Sequence, residues 1–259
     1  MELGLKNKTA LVCGSTQGIG KATAIALAKE GVRVTLMARN EDRLKEILQE
    51  LPGNDHDYLV ADFFEPAKLQ KTISEYLSDN TGFHILINNT GGPRSGLIKD
   101  ASLEEFRKAF NQHLICNHVL AQSVIPYMTR EKFGRIINVI STSVKEPIPG
   151  LGVSNTIRNA VANWSKTLAG EVGAMGITVN NVLPGFTETE RLNEIIKIKA
   201  SQENTSIDQM TAIMKNYTPA KRFAKPEETA AAILFLASEQ AAYINGINLP
   251  VDGGRTKSL

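Results

Sequence analysis

The chain has 259 residues, 42% hydrophobic and 22% charged, and a formal net charge of +2. That length suits one α/β domain or two small ones, and the composition is that of an ordinary globular protein with no electrostatic footprint for nucleic acid. No apolar run approaches the roughly 18 residues of a membrane span; Met1-Glu2-Leu3-Gly4-Leu5-Lys6 lacks a leader's apolar region, and Cys13 and Cys116, in separate apolar segments, read as buried thiols of a cytoplasmic protein.

In chain order, short apolar runs alternate with longer segments of helical period. Thr9–Cys13 reads as a first strand and 19–30 as the helix after it, with Ile25 and Ala28 on one face. Arg33–Ala38 and 41–51 repeat the unit. Further strands are expected at 58–61, Ile85–Asn88, 135–140, 178–182 and 247–250, with helices at 103–129, 155–173 and 227–237. Near-continuous apolar strands separated by helices predict a Rossmann-like, doubly wound parallel sheet flanked by helices, an α/β fold filling a single domain, 1–259. Segment 187–223 breaks the rhythm. It is polar, partly helical, and inserted where a substrate lid belongs; a plain surface excursion is the other reading. Ile157, Val161, Trp164 and Leu168 form a helical stripe that predicts core or subunit packing. The histidines offer no metal pair, because His113 and His118 would face about 140° apart on a helix.

Gly14-Ser15-Thr16-Gln17-Gly18-Ile19-Gly20 follows the first strand and opens the first helix. Glycines there let the backbone turn tightly and approach a pyrophosphate, and the helix N-terminus offers free N–H groups to it. Arg39 ends the second strand, beside the expected adenosine ribose. An acidic residue at that tip would accept a ribose hydroxyl and favour NAD(H). Arginine pairs with a 2′-phosphate, so NADP(H) is expected over NAD(H).

These motifs, with several downstream, resemble the short-chain dehydrogenase/reductase family over essentially the whole chain. Asp62, with Phe63 beside it, resembles the family's adenine-ring contact. Asn88-Asn89-Thr90-Gly91 resembles its Asn-Asn-Ala-Gly stretch, with Asn89 and Gly91 on the cofactor side. Gly134-Arg135-Ile136-Ile137-Asn138-Val139 and Ser141 resemble the strand carrying the catalytic serine. Pro184-Gly185 with Thr187 or Thr189 resembles the nicotinamide-amide contact, and Val251-Asp252-Gly253-Gly254 the closing motif. The resemblance implies a homodimer or homotetramer acting on a small-molecule substrate.

It also exposes a departure. In that family a tyrosine handles the substrate proton, a lysine four residues later lowers its pKa and holds the nicotinamide ribose, a serine polarises the carbonyl and an asparagine positions a water relay. Ser141 fits the serine. The tyrosine position falls on Ser154, the lysine position on Arg158, and the asparagine position on His113. A serine hydroxyl is a far weaker acid than a phenol, and guanidinium keeps its proton. His113, with an ordinary pKa near 6.5, is one candidate proton source, alone or through water, against simple packing of a helix histidine. Tyr217 in the insertion is another. Arg94, Arg158 and Arg191 fall near one sheet edge and would suit a carboxylate- or phosphate-bearing substrate, unless each is separately solvated. Three functions stay open: an NADP(H)-dependent oxidoreductase with an atypical proton donor, a catalytically impaired NADP(H)-binding sensor or regulatory protein, and a non-redox lyase or isomerase.

Overall fold

Every residue of β1 (Thr9–Cys13) is buried, and its alternate side chains part to opposite faces of the sheet. Ala10 and Val12 join one apolar core while Leu11 and Cys13 join the other. The same period-two division recurs in β4 (Ile85–Asn88), where Ile85 and Ile87 enter the first core and Leu86 the second. Strands buried on both faces need helices on both faces. The computed structural model describes residues 2–258; Met1 and Leu259, the ends of the expected domain, lie outside them.

Seven parallel strands run in the order β3-β2-β1-β4-β5-β6-β7, where β2 is Arg33–Ala38, β3 Asp57–Val60, β5 Gly134–Val139, β6 Ile177–Pro184 and β7 Asn248–Val251. The order reverses between β1 and β4, the place where doubly wound sheets open a crevice at their C-terminal edge. The first core takes Leu27 from α1 (Gly18–Lys29), Leu44 from α2 (Glu41–Glu50) and Leu236 from α9 (Pro226–Ala237). The second takes Leu69 and Ile73 from α3 (Pro66–Asp79), Leu120 and Val124 from α5 (Cys116–Glu131) and Val172 from α6 (Gly152–Val172). Cys13 and Cys116 are free and buried, as expected. Among the described residues no helix is long and apolar enough to cross a membrane.

A ladder of amides ties the sheet's later half together. Asn88 donates to Asn138 Oδ1 (2.9 Å), Asn138 to Asn181 Oδ1 (2.9 Å), and Asn181 to Asn248 Oδ1 (2.8 Å). The strand register places these residues directly side by side. Asn138 and Asn181 each donate and accept along the ladder, which offsets the cost of taking them from water, while Asn88 Oδ1 at its end is buried without a partner.

Three features differ from the sequence expectation. α3 was not anticipated, although Pro66 sits in its first turn and Leu69 and Ile73 lie four apart on its buried face. The expected 103–129 helix is α4 (Leu103–Phe110), a π-helical turn at Asn111–Ile115, and α5. That wider turn re-aims the side chains around His113, a common device at functional sites. The 155–173 helix begins earlier, at Gly152. Segment 187–223 contains α7 (Glu190–Gln202) and α8 (Ile207–Asn216), with a small core of their own around Ile196, Met210 and Met214.

Candidate active site

A cleft of about 620 Å³ runs along the C-terminal edge of the sheet from the glycine loop to the foot of α7. Its first end is mostly backbone. Gly14 has φ +58°, and a Cβ there would come within 2.5 Å of the Asn89 carbonyl oxygen; one on Gly20 would collide with the Gly14 carbonyl. Asn89 locks this turn from behind, donating to the Cys13 and Gly14 carbonyls (3.3 and 3.2 Å). Gly14, Thr16, Gln17, Gly18 and Ile19 line the cleft, while Ser15 and Gly20 are buried behind it. α1 starts with no side-chain cap and no acidic residue in its first turn. Its free N–H groups and positive dipole end therefore remain available to an anion. Ser15 Oγ is buried with no partner.

Arg39 lies beyond this turn, exposed, with its guanidinium 5.7 Å from the centre of the Phe64 ring. Arg43 also lines the cleft; its backbone N–H donates to Asn40 Oδ1 at the start of α2. Among the described residues neither arginine pairs with a carboxylate, so both charges stay free for a ligand. Asp62 and Phe63 line the adjoining wall, Asp62 Oδ1 accepting from the Phe64 N–H (3.0 Å). This set fits a phosphorylated dinucleotide: a turn a side chain would fill, an uncapped helix end, and two unpaired guanidinium groups.

The other end is built from side chains. Ser141 follows β5 and its Oγ accepts from the Ser143 N–H (3.1 Å), leaving its own hydrogen free. Asn159 on α6 holds the Ser143 carbonyl, and Asn155 brackets Ile148 through both its N–H and its C=O, fixing the 142–151 loop against the helix. Ser154 and Arg158 stand one turn apart on α6, both buried, both lining the cleft. Arg158 donates to the Val139 carbonyl (3.1 Å), and its Nε has no partner. Burial lowers its pKa to about 10, so it stays a cation at neutral pH. Pro184, Gly185, Thr187 and Thr189 close the side below, with Thr189 capping α7 through the Leu192 N–H (3.3 Å).

His113 does not line the cleft. It is 1% exposed, its Nδ1 hydrogen-bonds Thr90 Oγ1 at 2.7 Å, and its Nε2 is buried without a partner. Burial first, and then the Arg158 charge, hold its pKa well below the ordinary histidine value. A group expected to titrate near 6.5 is instead a neutral imidazole at neutral pH. Tyr217 does not line the cleft and is exposed. Of the arginines read as converging, Arg94 lines no part of the cleft, and Arg191 is held by Glu194 (3.2 Å) and the Pro93 carbonyl (2.8 Å). Sequence reasoning missed Arg43, whose signal was its helical spacing from Arg39, and Arg255, which reaches the cleft from the tail after β7.

Residues 14–256 match the family model described as enoyl-(acyl carrier protein) reductase. The chain is 33% identical to the 3-oxoacyl-(acyl-carrier-protein) reductase of Vibrio cholerae, over 97% of this chain and 98% of that one. It is 29% identical to an NADPH-dependent reductase of Bacillus subtilis, over 98% and 100%. The L-sorbose reductase of Gluconobacter frateurii, solved with NADPH and L-sorbose, superposes with a TM-score of 0.94 at 32% identity over the full length of both chains. Fold, ordered motifs and these matches agree that the chain belongs to the short-chain dehydrogenase/reductase family.

Proposed function

We propose that the chain is an NADP(H)-dependent oxidoreductase of carbonyl-reductase or alcohol-dehydrogenase type, acting on a small molecule. The observation that carries this reading is one continuous cleft joining the glycine turn and Arg39 to Ser141, Ser154 and Arg158. The reductase relatives support it. The 14–20 turn would hold the pyrophosphate, with Arg39 and Arg43 on the 2′-phosphate and Asp62 and Phe63 at the adenine. Asn89, Gly91 and Arg158 would hold the nicotinamide ribose, and Pro184, Gly185, Thr187 and Thr189 the amide. The dinucleotide, when bound, supplies the hydride.

The chain's own side chains then align the carbonyl and manage charge and proton. Ser141, with its hydrogen free, polarises the carbonyl oxygen. Ser154 stands in the tyrosine's place and Arg158 in the lysine's. Arg158 stabilises the developing alkoxide as a fixed buried cation rather than as a proton source. A solvent proton reaches the alkoxide by way of the Ser154 hydroxyl; His113, in the asparagine's place, is buried off the cleft with its Nε2 unpartnered and supports Thr90 rather than carrying the proton. Segment 187–223 acts as the lid, with Leu192 and Ile195 on the cleft and Arg191 tethering it to the Pro93 carbonyl. A homodimer or homotetramer accompanies this reading, and the exposed apolar residues Leu97, Ile98, Leu103 and Phe110 support it.

The pH profile follows from these groups. With His113 already neutral, reductase activity has no inflection near the usual histidine pKa. Arg158, although burial lowers its pKa, keeps its proton and adds no inflection of its own. The decisive assay follows NADPH absorbance against a panel of ketones, aldehydes and keto acids. Consumption supports the reductase. Thermal stabilisation by NADPH with no carbonyl consumed would replace it with the sensor. Ser154→Tyr combined with Arg158→Lys should raise generic carbonyl reduction.

A further inference from the structure

Among the described residues Arg255 has no carboxylate in direct contact, although Asp252 and Glu146 act on its charge from farther off. It is half-buried, lines the cleft, and stacks its guanidinium 4.2 Å from the centre of the Phe186 ring. Its one side-chain hydrogen bond goes to Thr142 Oγ1 at 3.3 Å, a neutral and long contact. The two carboxylates near it are occupied elsewhere. Asp252 accepts from the Gly254 and Thr256 N–H groups and from Thr256 Oγ1. Glu146 accepts from the Lys257 and Ser258 N–H groups, pinning the tail across the 142–151 loop. Among the described residues no carboxylate lies within 4.0 Å of the Arg255 guanidinium.

The surroundings sharpen the case. Among the described residues the charged side chains lining this end are Arg158, Arg191 and Arg255, and the one carboxylate lining the cleft, Asp62, belongs to the nucleotide end. Arg191 is bound to Glu194 and Pro93, and Arg158, buried with its Nε unpartnered, has the nicotinamide ribose and the reacting oxygen in the proposed reading, which leaves Arg255 for a second group of the substrate. Thr142, which Arg255 touches, directly follows Ser141, and Ser141 and Arg255 line the same cleft. A carbonyl on Ser141 and an anion on Arg255 would then belong to one small molecule.

We infer that Arg255 is a specificity-determining residue that binds a carboxylate on the substrate, so that the substrate class is a small keto acid or the matching hydroxy acid. This rests on the carbonyl-reductase reading for the chemistry but not for the binding. A guanidinium on an aromatic platform presents its fork to a planar carboxylate, and partial burial strengthens the pairing. One guanidinium suits the single charge of a carboxylate.

The test is binding without turnover. Dissociation constants for pyruvate, acetoacetate and levulinate, each against its neutral amide, are measured by ligand-observed NMR on NADP⁺-loaded protein, wild type, R255Q and R255K. We expect at least one acid to bind about tenfold or more tighter than its amide. R255Q should bring the two within about twofold, and R255K should keep part of the preference. Unchanged NADPH affinity in the variants shows an intact fold. No acid preference, or a preference that survives in R255Q, overturns the inference. Oxidation of NADPH by the same compounds is read separately. Acid binding without any oxidation would leave the Arg255 site standing and remove the reductase.

Discussion

The two halves of the sheet serve the cleft by different means. The early half presents mostly backbone, glycines and an uncapped helix end, with the two surface arginines Arg39 and Arg43 beside them. β4 to β7 are tied by buried asparagines, and the loops after them present reactive side chains. A backbone site keeps its function while most of its side chains change, provided the glycines stay. A side-chain site changes chemistry with each substitution. In the proposed reading, that is how one chain keeps the family's nucleotide turn with His113, Ser154 and Arg158 at the reacting end.

The largest expected effect lies in the later half. Asn138→Leu would strand the amide of Asn88, the carbonyl oxygen of Asn181 and the hydroxyl of Ser165. We expect about 3 kcal/mol of lost stability by urea unfolding, with NADPH affinity little changed. A loss below about 1 kcal/mol would mean that the ladder contributes no more than ordinary surface bonds. Next is the early half, where Gly20→Ala forces the turn apart. NADPH binding, followed by fluorescence titration, should weaken about a hundredfold, or about 2.7 kcal/mol.

Arg39→Ala tests whether the early half selects as well as grips. NADPH affinity should fall about twentyfold while NADH affinity stays level; equal losses for both would remove the 2′-phosphate assignment. The smallest effect belongs to His113. Its folded pKa is depressed, so as pH falls below about 6.5 the unfolded chain takes up a proton that the folded one refuses. Stability is therefore present above that value and lost on acidification. His113→Gln should flatten the slope by about 0.7 kcal/mol per pH unit at 6.5, rising toward about 1.4 kcal/mol per unit about one pH unit lower. His84, also depressed by burial, would leave a residual slope of the same sign.

Legibility followed the same divide. The strands could be read because burial on both faces leaves an apolar run with little else to be, and Thr9–Cys13, Arg33–Ala38 and Ile85–Asn88 matched to the residue. α3 escaped because one apolar stripe on a mostly polar segment is a weak signal. The π turn at Asn111–Ile115 has no sequence mark at all, since it reflects how α4 and α5 pack rather than any local preference. The glycine turn carries its own spacing. Arg255 carries none: it meets Thr142 across 113 residues of sequence, and only the assembled sheet brings the two together. The neutrality of His113 was hidden for the same reason, because burial and the Arg158 charge are products of folding.

The central claim, an intact hydride-delivering frame working without a tyrosine–lysine pair, is tested most directly by isotope. The protein is incubated with NADPH carrying deuterium at the transferable position and a carbonyl compound, and the alcohol is examined by mass spectrometry. Deuterium is expected on the former carbonyl carbon and is absent in Ser141→Ala and Arg158→Ala. NADPH bound tightly, with no labelled alcohol from any carbonyl compound including the keto acids, would contradict it.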